Sequence, residues 1–325
     1  MAEKLKVAAY WGAACGGCDV STLDIHEKIL DLIPLVEFVL WPVAMDFKYK
    51  DVEALDDGSI DLCLYNGAIR NSENEHLAKL LRRKSKIMVA FGSCSHMGGI
   101  PGLANLFNRE EIFDYVYKKS PSVFNPEDLV PQPRYETPLG EIDIPEFYDT
   151  VKTLDQTVDV DYYVPGCPPH PDQIWAVLQA VVSGNLPPKG TVVGAATHAL
   201  CEECPRKVTK RSIEGFKRPH EVIPEPEVCF MEQGIFCMGS ATRAGCGARC
   251  IKSNMPCRGC YGPTPEVLDQ GAKIASAVAS IMKADSPEEV EHILDSLPDP
   301  VGYFYRFGLA TSLMHRRLDN SPAGE

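Results

Sequence analysis

Several patterns are missing from this 325-residue chain, and each absence narrows what it does. No run approaches the roughly 18 apolar residues that a membrane-spanning helix needs. Basic residues are in deficit: 32 Lys and Arg face 45 Asp and Glu, for a formal net charge of −13. A phosphate-backbone binder needs a positive footprint, so nucleic acid is disfavoured as a partner. The chain has no P-loop, G-x-G-x-x-G, H-E-x-x-H or G-x-S-x-G signature, which removes the common nucleotide, dinucleotide, zinc-protease and serine-hydrolase readings. The opening residues, MAEKLKVAAYW, carry neither a secretion leader nor a twin-arginine pair, which predicts a cytoplasmic protein.

What is present is enough apolar residue, 45% of the chain, for a real core, in a length that suggests two lobes. Short β-rich runs at Lys6 to Trp11, Val36 to Met45, Ile60 to Ile69, Lys86 to Gly92 and Val160 to Gly166 read as buried strands. Helical spacing lies between and after them. Ser21 to Ile33 places Ile25, Ile29, Leu32 and Ile33 on one side, and Pro171 to Ser183 is closed by Gly184. That alternation predicts an α/β first domain over 1–184, with a parallel sheet covered on both faces. Lys118 to Thr157 is acidic and proline-rich, and reads as a long ordered excursion whose Phe, Tyr, Leu and Ile pack against a partner. From 185 to 325 the pattern turns irregular and cysteine-rich, a stretch expected to fold around bound ions. Helices are expected to begin at Thr264, at Ser286 and over Pro300 to Arg317.

Thirteen cysteines in a reducing compartment are expected to hold metal and not disulfides. Cys15 and Cys18 follow the first strand, Cys94 ends the fourth and Cys167 ends the fifth. In an open α/β sheet the carboxyl ends of the strands share one crevice, so these four sulfurs can converge. Glycines 16, 17, 92 and 166 leave backbone N–H groups free to face sulfur. Cys63, inside IDLCLY, reads as a packing thiol. The other eight divide into Cys201, Cys204, Cys229 and Cys237, and Cys246, Cys250, Cys257 and Cys260. Four-sulfur sites suit zinc or iron–sulfur equally, so a zinc-stapled scaffold stands beside an electron relay. His96, His170 and His198 are candidate ligands or proton carriers, more simply hydrogen-bonding neighbours. Glu202 and Glu203 read as a solvated face, and Lys207, Lys210, Arg211, Lys217 and Arg218 as either a solvated surface or a docking face.

Trp11-x3-Cys15-x2-Cys18, Gly92-Ser93-Cys94, Pro165-Gly166-Cys167-Pro168-Pro169 and the cysteine-rich second lobe together resemble the small subunit of NiFe hydrogenases. The likeness is particularly to the cytoplasmic methyl-viologen-reducing type of methanogens, which works with heterodisulfide reductase. The first half also resembles the 20-kDa-type subunit of respiratory complex I, which typically has no such second lobe. The resemblance implies a flavodoxin-like first domain and an electron-transferring role with three 4Fe–4S clusters. It assigns the proximal cluster to Cys15, Cys18, Cys94 and Cys167, the medial to Cys246, Cys250, Cys257 and Cys260, and the distal to Cys201, Cys204, Cys229 and Cys237. In many relatives the distal set begins with His-x-x-Cys, so His198-x-x-Cys201 offers a competing register. The implied partners are a nickel–iron large subunit, where dihydrogen is split, and a heterodisulfide-reductase-linked acceptor subunit.

Overall fold

The computed structural model describes residues 4–297 and 299–316. Among the described residues nine strands form: β1 (Leu5–Trp11), β2 (Val36–Leu40), β3 (Ile60–Asn66), β4 (Ile69–Asn71), β5 (Ser85–Phe91), β6 (Arg134–Thr137), β7 (Gly140–Asp143), β8 (Phe147–Lys152) and β9 (Tyr162–Val164). Five pair in the order β2-β1-β3-β5-β9, all parallel. This is the α/β sheet that the apolar runs predict. Its strands are apolar on both faces because helices cover both: one side buries Ala8, Tyr65, Leu77, Leu81 and Met88, the other Val7, Leu62, Val89, Ile174 and Leu178.

The Pro171–Val182 helix forms as its sequence predicts, with proline in the first turn, His170 Nδ1 accepting the Asp172 N–H at 3.1 Å, and Gly184 at φ +69° after its end. The Ser21–Ile33 expectation is corrected. Gly16, at φ +80°, lets the helix start at Gly17, and it ends at Leu23. His26, at φ +55°, then sets the remainder apart as two short consecutive turns, His26–Lys28 and Ile29–Leu32. Ser21 thus lies inside the helix, and its hydroxyl donates to the Pro169 carbonyl at 2.6 Å, tying the Cys15–Cys18 segment to the chain after Cys167. The Ser72–Lys84 helix, capped by Asn71 accepting from the Asn74 N–H, was not singled out in the sequence.

The acidic excursion is partly ordered by its own chain. β6 and β7 make a hairpin, and β8 pairs antiparallel with β4. Beyond Gly184 the backbone still follows the sheet, with the Val193 N–H donating to the Tyr163 carbonyl at 2.8 Å.

The cysteine-rich stretch is built from short turns and isolated bridges, yet it does have an apolar core, contrary to the expectation that bound ions alone would organise it. Leu200, Ile213, Phe230, Ile235 and Phe236 are completed by Ile274, Val278, Ile293 and Leu297 from the later helices. Those helices are also corrected. One spans Gln270–Ala279, with the Asp269 carboxylate accepting the Ala272 N–H, so Thr264 to Leu268 is a turn. The next, Pro287–Asp295 capped by Ser286, forms as read. The last covers only Pro300–Phe304, and Arg317 lies outside the described residues. The chain then returns to the first lobe, where Gly99 N–H donates to Phe307 O and Gln156 to Ala310 O. Among the described residues no helix is long and apolar enough to cross a membrane.

Candidate metal centre

Parallel strands place their carboxyl ends on one edge, and the first-lobe thiol loops leave from that edge. Cys15 and Cys18 follow β1, Cys94 follows β5 and Cys167 follows β9. These four thiols feel one another. Burial raises Cys18, and Cys94, Cys167, Asp19 and Cys15 raise it further. Cys94 is pushed up to about 12 by burial and then by Cys167 and Cys15. Two glycines hold open the space this needs: a Cβ on Gly92 would lie 2.5 Å from Cys18 Sγ, and one on Gly99 2.6 Å from Cys94 Sγ. Gly17 N–H faces Cys15 Sγ at 3.4 Å as expected, but Gly92 N–H is used by Val164 O at 2.8 Å, so Gly92 provides clearance and not a bond to sulfur. The Cys167–Pro168 peptide bond is cis.

In the second lobe, Cys201 is pushed up to about 12 by burial and by Cys237, Cys204 and Cys229. Cys237 reaches about 11, because the Gly239 and Cys257 N–H groups oppose burial and the charges of Cys229 and Cys204. Cys260 is pushed up to about 12 by burial and then by Cys250; the Cys167 N–H opposes this, and the charges of Cys167 and Cys246 add to it. Cys257 is raised by burial and then by Cys237 and Cys260. These couplings run mainly within groups of four thiols, and the groups touch. Cys167 neighbours Cys260, and the Cys257 N–H donates to Cys237 Sγ at 3.3 Å. A cavity of about 370 Å³ between the lobes is lined by Cys167, Cys246, Cys250, Cys257 and Cys260.

All thirteen cysteines are free. Four neighbouring thiols cannot all ionise without a cation among them, because each charge raises its neighbours. Among the described residues, no three His, Cys, Asp or Glu side chains close on a point that would hold one ion. What the groups offer is sulfur with backbone N–H donors directed at it, as at Cys15 and Cys237, a donor set that fits an iron–sulfur group.

Of the remaining candidates, His96 has a buried Nδ1 without a hydrogen-bond partner, and the others have ordinary neighbours. Cys63 is fully buried in β3 and pushed up to about 12 by burial, with the Ser85 hydroxyl beside it. His96 stacks on Tyr163, and burial and then Arg243 lower it to about 3. His170 caps a helix, and His198 Nε2 lies 3.5 Å from Glu203, so each has a partner other than a thiol. Glu202 and Glu203 accept backbone N–H bonds from Ala199 and Gly245. Lys207 pairs with Glu227. The loop carrying Lys210 and Arg211 is fastened by Glu232, which accepts from three backbone N–H groups and the Thr209 hydroxyl. Sequence reasoning missed Glu232, Gly99 and the stack of Arg206 on Phe230 at 3.6 Å, because each works through residues distant in the chain.

Residues 15–181 match the family described as NADH ubiquinone oxidoreductase, 20 Kd subunit. The iron-sulfur subunit of the F420-non-reducing hydrogenase of Archaeoglobus profundus is 43% identical over 97% of this chain and 99% of its own length. The corresponding subunit of the Methanothermobacter marburgensis F420-non-reducing hydrogenase is 39% identical, covering 98% of each chain. A chain of the Dm. baculatum NiFeSe hydrogenase shares the fold, with a TM-score of 0.50 at 22% identity over 81% of this chain and 95% of that one. The chain therefore belongs to the 20 Kd subunit family, in its hydrogenase branch, and is one subunit of an oxidoreductase complex.

Proposed function

We propose that this chain is the electron-relay subunit of a NiFe hydrogenase, holding three 4Fe–4S clusters. The proximal cluster is held by Cys15, Cys18, Cys94 and Cys167, the medial by Cys246, Cys250, Cys257 and Cys260, and the distal by Cys201, Cys204, Cys229 and Cys237. The observation that carries this reading is the end-to-end contact of the three thiol sets, Cys167 against Cys260 and Cys257 against Cys237. Isolated structural zinc sites have no need of such contacts, whereas a row of one-electron carriers does. When bound, these clusters supply one-electron storage at potentials set by burial and hydrogen bonds.

The chain's own residues do the holding, orienting and shielding. Cys15 is exposed, and Trp11, Val20 and Leu23 are exposed around it, an apolar rim suited to a nickel–iron large subunit. Cys201, of the distal set, opens to solvent although neighbouring protein atoms still raise its thiol, and an acceptor subunit of the heterodisulfide-reductase-linked kind would dock on that side. Thirteen free thiols agree with a reducing, cytoplasmic setting.

Anaerobically purified protein is expected to be brown, with about 12 iron and a similar amount of acid-labile sulfide per chain if all three sets carry 4Fe–4S. A colourless protein carrying zinc would overturn the reading. Cys167→Ser is expected to remove about a third of the iron, since one set of three is broken.

A further inference from the structure

The two junctions between thiol sets each bring a cysteine N–H against a sulfur of the next set, that of Cys167 facing Cys260 at the first, and they differ in what they join. At the second, a backbone N–H of Cys257 meets Cys237 Sγ directly, within one lobe. The first junction crosses between lobes, and only one side chain of the Gly92-Ser93-Cys94 motif is in a position to bridge it. Ser93 is 1% exposed. Its Oγ lies 2.7 Å from the carbonyl of Cys260 and 2.8 Å from that of Gly166, which precedes Cys167. Its own N–H donates to the same Gly166 carbonyl at 2.8 Å, and the next residue is Cys94. One buried hydroxyl therefore joins three loops, two of the first lobe and one of the second.

We propose that Ser93 is a positioning residue for the relay. Its hydroxyl latches the Cys257–Cys260 loop onto the Cys94 and Cys167 loops and so sets the gap between the first and second thiol sets. The physical reason lies in the other contacts across the same boundary. Arg249 to Asp172, at 3.1 Å, is a solvent-exposed ion pair that salt screens and thermal motion loosens. Tyr261 Oη bonds Gln173 at 2.7 Å, one residue beyond Cys260 and away from the first-lobe thiols. Removing the Ser93 hydroxyl leaves the Cys260 carbonyl without this donor, while the Gly166 carbonyl keeps the Ser93 N–H, and a buried carbonyl without a donor turns or separates to find one. Electron tunnelling falls steeply with distance, so a gap that fluctuates is a relay that slows. Serine is also the smallest side chain that supplies such a proton; alanine there keeps the shape and loses the latch.

This rests on the cluster reading above, and the test separates the two. Ser93→Ala and Ser93→Thr would be prepared anaerobically beside the wild type and compared by iron content, by paramagnetic resonance of the fully reduced protein, and by amide exchange over 257–261. Ser93→Ala is expected to keep the wild-type iron content but to lose spin–spin broadening between the proximal and medial signals. Its amide exchange over 257–261 is expected to rise by roughly tenfold, the scale of one buried hydrogen bond. Ser93→Thr, which keeps the hydroxyl, is expected to restore both. Unchanged broadening and exchange in an iron-replete Ser93→Ala protein would overturn the proposal, as would loss of a third of the iron, which would make Ser93 a local support of Cys94. If the wild type itself binds no iron, the cluster reading fails, while the exchange measurement still reports whether Ser93 latches the lobes.

Discussion

The two lobes hold their thiols by opposite means. In the first, a hydrogen-bonded parallel sheet delivers the loops: β1, β5 and β9 are fixed through β3 and each other, and the cysteines sit just past their ends. The thiol positions follow from a core that takes in Cys18 but not Cys15 or Cys167, both of which are exposed. In the second lobe, Cys257 is itself part of the core, and Cys204, Cys237 and Cys246 pack against it. There the thiol side chains and the packing side chains are the same residues. The sheet lobe can be expected to stand with its sites empty, and the second lobe to depend on what its thiols hold.

Metal removal tests this comparison most directly and should give the largest effect. Structural metal sites couple binding to folding, because a preformed site is costly to keep without its ion. Stripping iron with a chelator is expected to raise amide exchange over 200–262 by roughly a hundredfold or more, while 60–91 changes by less than about tenfold. Equal loss of protection in both regions would erase the distinction.

The asymmetry also explains what was legible in the sequence. The sheet was legible because five strands with apolar runs, separated by amphipathic stretches, leave few alternatives, and the strand-end cysteines came with them. The second lobe's cysteine spacing was legible too, but its fold was not. Phe230 and Ile235 find Ile274 and Ile293 some 40 to 60 positions away, with no periodicity to announce the contact. Helix starts failed where left-handed residues intervened, Gly16 and His26 around the first helix, and where Asp269 rather than Thr264 supplied the cap. Ser93 and Gly99 carry no signal of their own; each matters only because of what the fold brings against it.

Gly92→Ala sharpens the comparison next. Gly92 sits at φ +86°, and a Cβ there would strike Cys18 Sγ, so the sheet lobe's geometry leaves no relaxed alternative. The variant is expected to lose stability by about 1–3 kcal/mol and to bind about a third less iron. Gly247 in the second lobe, at φ +66° with open space around its would-be Cβ, provides the contrast: Gly247→Ala is expected to cost about 1 kcal/mol and keep all its iron.

Glu232 probes how far the second lobe stands on its own polar contacts. Burial pushes this carboxyl up, but the Thr209 hydroxyl and the backbone N–H groups of Arg211, Thr209 and Lys210 outweigh it and hold it at about 2. A depressed carboxyl stabilises the fold above its unfolded value of 4.5, and that contribution is lost as pH falls through about 2. The difference corresponds to roughly 3 kcal/mol. Glu232→Gln is therefore expected to melt well below the wild type at pH 7 and to approach it as the pH is lowered from 4.5, followed by calorimetry on apoprotein. A difference that persists unchanged at pH 2 would assign the loss to packing.

The smallest effect separates two buried thiols, one alone within a strand and the other half of a Cys-x2-Cys pair. Cys63 and Cys257 both lie inside apolar cores, and burial raises both. Their neighbours differ: Cys63 has the Ser85 hydroxyl, whereas Cys257 has Cys237 and Cys260. A hydroxyl in place of sulfur at 63 would lie beside the Ser85 hydroxyl, which is buried without a hydrogen-bond partner, so Cys63→Ser is expected to cost about 1 kcal/mol and leave the iron content unchanged. At 257 the same exchange removes a thiolate from a set of four, and a hydroxyl is a poor replacement for it. Cys257→Ser is expected to bind about a third less iron and to lose protection across the second lobe. Iron loss from Cys63→Ser on the scale of Cys257→Ser would mean that Cys63 holds metal as well, and the contrast between these two thiols would fail.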